Sequence, residues 1–157
     1  RRSNQKLYKF IYVTSKLMIK DILTTKLNII KSDDGSVFHG IKSTDIGFEK
    51  FGETYFSFIN EGAFKGWKKH TKMTMNLIVP IGEIRFNFID LREDSQTFNE
   101  RTEINLSVNN YVRLTVPPSI WFGFKGLADQ NMLVNIASIP HDPKEVSEKN
   151  KMELEFN

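Results

Sequence analysis

The stretch Glu83–Leu91 (EIRFNFIDL) sets Ile84, Phe86, Phe88 and the flanking Asp90 on one side, with Arg85, Asn87 and Ile89 on the other. Apolar residues at every second position mark a half-buried antiparallel strand; a helix would repeat them every three or four residues. Less regular runs of the same kind occupy Phe51–Ile59, Met73–Val79, Glu103–Leu106, Tyr111–Val116 and Met132–Ile139. Between them recur turn-forming clusters: Asp33-Asp34-Gly35, Glu61-Gly62, Pro80-Ile81-Gly82, Asn109-Asn110, Pro117-Pro118 and Asp129-Gln130-Asn131. Many short strands so punctuated predict an all-β sandwich or barrel. One helix start is legible: Asp142-Pro143-Lys144-Glu145 combines an N-cap acid, a first-turn Pro and a Glu at the third position. That capping box predicts a short C-terminal helix over roughly 143–151. Residues 18–24 suit either a helical turn or a strand.

At 157 residues the chain is long enough to bury a core without staples, and it contains no Cys. Disulfides, thiolate metal sites and a Cys nucleophile are therefore excluded, which fits a cytoplasmic protein. No apolar run approaches the roughly 20 residues of a membrane span, and no membrane partner is expected. The net charge of +3 is concentrated at one end. Residues 1–17 hold Arg1, Arg2, Lys6, Lys9 and Lys16 and no acid, which leaves 17 basic against 19 acidic groups elsewhere. A nucleic-acid binder would spread its positive charge over the folded body, so no nucleic-acid partner is expected. The 1–17 segment reads as a basic extension, not necessarily native, ahead of a single domain over 18–157.

The nine glycines form neither a dinucleotide-binding nor a P-loop pattern, and no organic cofactor is expected. His39, His70 and His141 are too dispersed for a local metal motif, so no metal is expected either. The densest polar stretch is Glu61–His70 (EGAFKGWKKH). On a flat strand Lys68 and His70 share one face, and Lys65, Trp67 and Lys69 share the other. Two readings stand: a solvated basic edge strand, or a pocket strand facing an anionic ligand.

The segment Gly62–Trp67 resembles the Gly-x-Leu-Arg-Gly-Leu run of dTDP-4-dehydrorhamnose 3,5-epimerases. The resemblance continues through Gly82–Arg92, with its closing Asp90-Leu91-Arg92, then Ser95-Gln96-Thr97-Phe98, Leu114–Pro118 and Ile120–Phe124, covering roughly residues 40–146. It implies a cupin-type jelly roll, usually homodimeric, acting as an isomerase on a nucleotide-linked keto sugar in surface polysaccharide precursor synthesis. The alternative is a non-catalytic cupin that binds a sugar nucleotide or carbohydrate. The family's catalytic His corresponds to Lys68, with His70 two residues later. Its assisting Lys falls near Met75, its acidic Tyr near Val134, its pocket His at Phe122 and an upstream Arg at Ile46. Phe48 is retained, Lys65 replaces an Arg, and Glu53 and Tyr55 stand where the family has pocket amides. The expected site is therefore His70, Lys68 and Tyr55 as catalytic candidates, with Phe48, Glu53, Lys65, Met75 and Phe122 as binding residues.

Overall fold

The computed structural model describes residues 18–154, so the basic 1–17 segment lies outside the described residues. Twelve strands follow one another: β1 (Leu23–Lys26), β2 (Ile29–Ser32), β3 (Gly35–Phe38), β4 (Glu53–Asn60), β5 (Phe64–His70), β6 (Met75–Ile81), β7 (Glu83–Ile89), β8 (Arg101–Ser107), β9 (Val112–Val116), β10 (Trp121–Gly126), β11 (Gln130–Ala137) and β12 (Val146–Glu148). Two five-stranded antiparallel sheets, in the orders β1-β9-β6-β11-β4 and β12-β5-β10-β7-β8, lie face to face. A separate hairpin, β2–β3, turns at Asp33-Asp34.

The aromatic alternation read from β7 accounts for this layering. Ile84, Phe86 and Phe88 are completely buried between the sheets, against Leu77, Val79, Leu106, Leu114 and Phe122. Ile89 points the other way, into a second cluster with Trp67, Trp121 and Leu154. β10 was not legible as a strand, because two glycines in six residues weaken strand propensity. One of them is required: a Cβ on Gly123 would sit 2.3 Å from the Phe64 ring that lies over it. Gly82, at φ +78°, turns β6 into β7 where a Cβ would meet the Gln130 carbonyl at 2.0 Å.

The predicted C-terminal helix stops after one turn. Asp142 does cap it, accepting from the Lys144 N–H at 2.9 Å, but only Pro143–Glu145 is helical, of the 3-10 type. The Glu145 N–H donates to the Asp142 carbonyl at 3.1 Å, but the Glu145 side chain serves His70 and the N–H groups of Thr71, Lys72 and Met73 in place of the cap. It is drawn into the protein interior, and the chain continues as β12 along β5, pairing Val146 with His70 and Glu148 with Lys68. A second short turn, Lys151–Leu154, closes the described chain. Over 18–24, a turn at Lys20-Asp21 leads into β1, so the undecided segment is mostly strand approach.

The Asp-Leu-Arg and Ser-x-Thr elements form a clasp. Asp90, fully buried, takes two hydrogen bonds from the Arg92 guanidinium at 2.8 Å each, one from the Arg92 backbone N–H at 3.1 Å, and one apiece from Ser95 and Thr97. Arg92 also reaches Asp21 and the Lys20 carbonyl, while Lys20 donates to Thr97, tying the start of the described chain to the β7–β8 connection. Burial alone would raise the Asp90 pKa, but the Arg92, Ser95 and Thr97 hydrogen bonds outweigh it and hold the carboxyl well below the usual range. A carboxylate so depressed stabilises the fold above its unfolded pKa of about 3.9 and loses that contribution as pH falls. Unfolding free energy measured in urea should therefore decline steadily below about pH 4. Arg92→Leu, which strands the buried carboxylate, should cost about 3–5 kcal/mol at pH 7 in the same assay.

Candidate active site

Between the sheets lies a cavity of about 730 Å³. Its walls follow from strand alternation: Glu53, Tyr55 and Ser57 from β4, Met75 and Leu77 from β6, Phe122 and Phe124 from β10, Leu133 and Asn135 from β11. Lys65, Lys68 and His70 enter from β5, and His141, Pro143, Val146 and Glu148 close one side. Seven of the eight residues expected from sequence line this cavity. Phe48 does not; it is half-buried in the loop before β4.

The expectation that Lys65 faces away from Lys68 is corrected by a bulge. Along β10, Phe122 pairs with Lys68 but Gly123 pairs with Gly66, so Trp67 is an extra residue. Phe122 and Phe124 share a face, and their partners Lys68 and Lys65 consequently share it too. Trp67 stays on the outer face, in the second cluster, 2% exposed. The bulge thereby gathers two ammonium groups and an imidazole on one wall. Lys68 is paired with Glu148 at 3.2 Å, whereas Lys65 makes no ion pair among the described residues.

Sequence reasoning missed Glu145, the group that defines His70. The Glu145 carboxylate is 2% exposed; Oε1 meets Nδ1 of His70, and Oε2 accepts from the N–H groups of Thr71, Lys72 and Met73 at 3.0, 3.0 and 3.3 Å. Desolvation by itself would raise the Glu145 pKa. The hydrogen bonds from His70 and the backbone outweigh it and lower the value. An ionised carboxylate only accepts, so Nδ1 of His70 carries a proton toward Glu145, and His70 lines the cavity. The ring also stacks on Phe122 at 5.8 Å between centroids. The capping-box pattern did flag Glu145, but for a local role. Nothing in its spacing signals a partner 75 residues earlier.

Opposite this dyad, Tyr55 and Asn135 are direct cross-strand partners on β4 and β11, and Asn135 Nδ2 donates to the Tyr55 hydroxyl at 2.8 Å. Val134, near which the resemblance places the family Tyr, is absent from the cavity lining; its neighbours Leu133 and Asn135 point inward instead. Ile46 is 80% exposed and also lies outside the cavity. Among the described residues no group of three or more His, Asp or Glu side chains is arranged around a common metal position. No described helix is long and apolar enough to cross a membrane.

A two-sheet antiparallel sandwich with a ligand-sized cavity between its sheets is a cupin-type jelly roll, with a His–carboxylate pair in the cavity wall. A sequence profile of dTDP-4-dehydrorhamnose 3,5-epimerase matches residues 16–152, and the chain belongs to that family. The solved dTDP sugar isomerase of Desulfovibrio desulfuricans G20 superposes with a TM-score of 0.82 at 31% identity, covering 85% of this chain and 86% of that one. The spore coat polysaccharide biosynthesis protein SpsL of Bacillus subtilis is 24% identical over 133 residues, 84% of this chain and 88% of that protein. A Haloferax volcanii protein named "Probable low-salt glycan biosynthesis epimerase Agl13" is 26% identical over 98 residues. That match covers 61% of this chain and 63% of the Haloferax protein, less than two thirds of its length.

Glu145→Ala should lower stability by about 3 kcal/mol, because each buried donor left bare costs about 1–3 kcal/mol and water relieves only part of it. Urea unfolding at pH 7 measures this, with Glu145→Gln expected to lose less.

Proposed function

We propose that the protein is a sugar-nucleotide epimerase acting on a nucleotide-linked 4-keto sugar, in the synthesis of a surface polysaccharide precursor. The observation that carries this reading is the placement of His70 and Tyr55 on opposing sheets of one cavity, the imidazole backed by an ionised Glu145. Inversion at a carbon beside a ketone needs a base on one face and a proton donor on the other. Nε2 of His70 takes the proton from the carbon, and the C–H electron pair moves onto the ketone oxygen as an enolate. Tyr55 O–H delivers a proton to the opposite face, the enolate collapses to the ketone, and both side chains re-equilibrate with solvent. The His70–Glu145 pair suits this work, since the carboxylate stabilises the imidazolium that forms. Lys68, matched to the family's catalytic His, is instead held at the cavity wall by Glu148.

Binding roles divide by chemistry. Lys65, free of an acidic partner among the described residues, is assigned to the diphosphate as a point charge, less selective than a bidentate Arg. Met75 and Phe122 supply apolar wall, and Glu53 receives sugar hydroxyls. Phe48 would act only from the neighbouring loop.

In deuterated water with dTDP-4-keto-6-deoxyglucose, mass and NMR detection should show exchange at one carbon beside the ketone. That exchange should be abolished in His70→Asn, a loss of at least about 10² for a general base, and kept in Lys68→Met. The reverse dependence would transfer the base to Lys68. Tight binding with no exchange by any keto-sugar nucleotide would favour the binding-module alternative.

A homodimer is proposed on separate grounds. The outer face of β4, an edge strand, exposes Phe56 (62%) and Phe58 (69%). Their register partners Val134 and Met132, the latter paired with Ile81, extend the apolar area across β11 to β6. Such a surface on an edge strand calls for a cover, and a second copy supplies one by two-fold symmetry. Sedimentation at micromolar concentration should give twice the 18.2 kDa chain mass, and Phe58→Glu should halve it.

A further inference from the structure

Asn135 is 2% exposed and lines the cavity, yet only half of its amide is used. Nδ2 donates to the Tyr55 hydroxyl at 2.8 Å, while Oδ1 is buried without any partner. A buried acceptor left bare costs about 1–3 kcal/mol, and its persistence beside a cavity points to a ligand that donates to it. The other half of the amide has its own consequence. A phenolic oxygen that is already accepting from Nδ2 has its O–H left to give, so the Tyr55 proton is directed away from Asn135. Asn135 and Tyr55 are direct cross-strand partners, which fixes this geometry in the sheet rather than in a mobile loop.

We propose that Asn135 is a positioning residue: it aims the Tyr55 proton at the substrate carbon, and its free Oδ1 accepts a ring hydroxyl of the sugar, fixing which carbon lies under Tyr55. The sugar class taken is therefore a keto sugar that retains a hydroxyl within reach of the inverted carbon. This rests on the reading of Tyr55 as the acid. It concerns only the second half of the reaction, because removal of the proton by His70 does not involve Asn135. Asn135→Asp is the informative substitution, since a carboxylate is nearly the same shape but only accepts. It would draw the Tyr55 proton to itself and leave no donor for the substrate.

The test follows stereochemistry as well as isotope, with dTDP-4-keto-6-deoxyglucose in deuterated water. Wild type should incorporate deuterium with inversion. Tyr55→Phe and Asn135→Asp should still incorporate deuterium, now with retained configuration, while inversion falls by about 10²–10⁴-fold and substrate KM changes much less. A merely structural role for Asn135 would lower exchange and inversion together, and that outcome overturns the proposal. Asn135→Asp inverting within threefold of wild type while Tyr55→Phe does not would also overturn it, and would mean that the amide is turned round with Tyr55 donating to it. If Tyr55→Phe inverts normally, the acid assignment itself fails. If wild type neither exchanges nor inverts, the epimerase reading fails. Should Asn135→Asp not fold, Asn135→Ala is used, with inversion expected to fall more than exchange and KM to rise as the Oδ1 acceptor is lost; equal losses of exchange and inversion would overturn the proposal.

Discussion

A single buried carboxylate, that of Glu145, holds the working end of this jelly roll together. Its two oxygens satisfy the Nδ1 of His70 and three successive backbone N–H groups in the β5–β6 turn. An ionised group so deep in the protein is tolerable only when every lone pair is met, and here hydrogen bonds outweigh the desolvation. The consequence spreads outward. Glu145 cannot complete a capping box while it serves His70, so the helix begun at Asp142 ends after one turn. The chain is then laid along β5 as β12 and walls the cavity with Val146 and Glu148.

The same site depends on a second departure from regular structure. Without the bulge, β5 would alternate regularly and Lys65 would join Trp67 and Lys69 on the outer face, away from the cavity. With it, the strand offers an indole to one face and cationic groups to the other. Bulges of this kind re-aim side chains at a modest cost in ladder hydrogen bonds. The adjoining β10 tolerates the arrangement because Gly123 leaves room for the Phe64 ring. The cationic wall, the His70–Tyr55 pair proposed as base and acid, and the apolar floor thus come from different strands.

Family membership and local chemistry also bear on each other. Lys68, which the resemblance sets against the family His, is engaged by Glu148, and Val134, near which it sets the family Tyr, lies outside the cavity lining. His70 and Tyr55, the pair proposed as base and acid, line the cavity two residues along β5 and on the strand beside β11. A reaction that requires only a base and an acid on opposite faces constrains where two atoms sit, and different positions in a sheet can meet that constraint.

Period-2 alternation in Glu83–Leu91, with turn residues at short intervals, determined by itself that this chain folds as layered antiparallel sheets, because burial of every second side chain leaves no other solution. The resemblance to the epimerase family, not the alternation, marked Tyr55, Lys65, Lys68, His70, Met75 and Phe122 as one expected site. Local pattern failed where a residue's partner is remote. Glu145 reads as a cap until His70 is brought to it across 75 residues, and Asn135 reads as an ordinary strand residue until Tyr55 stands beside it. The side on which Lys65 falls was likewise decided by the pairing of β5 with β10. Sequence spacing specifies which face a side chain takes only while the ladder is regular, and tertiary packing alone decides where it is not.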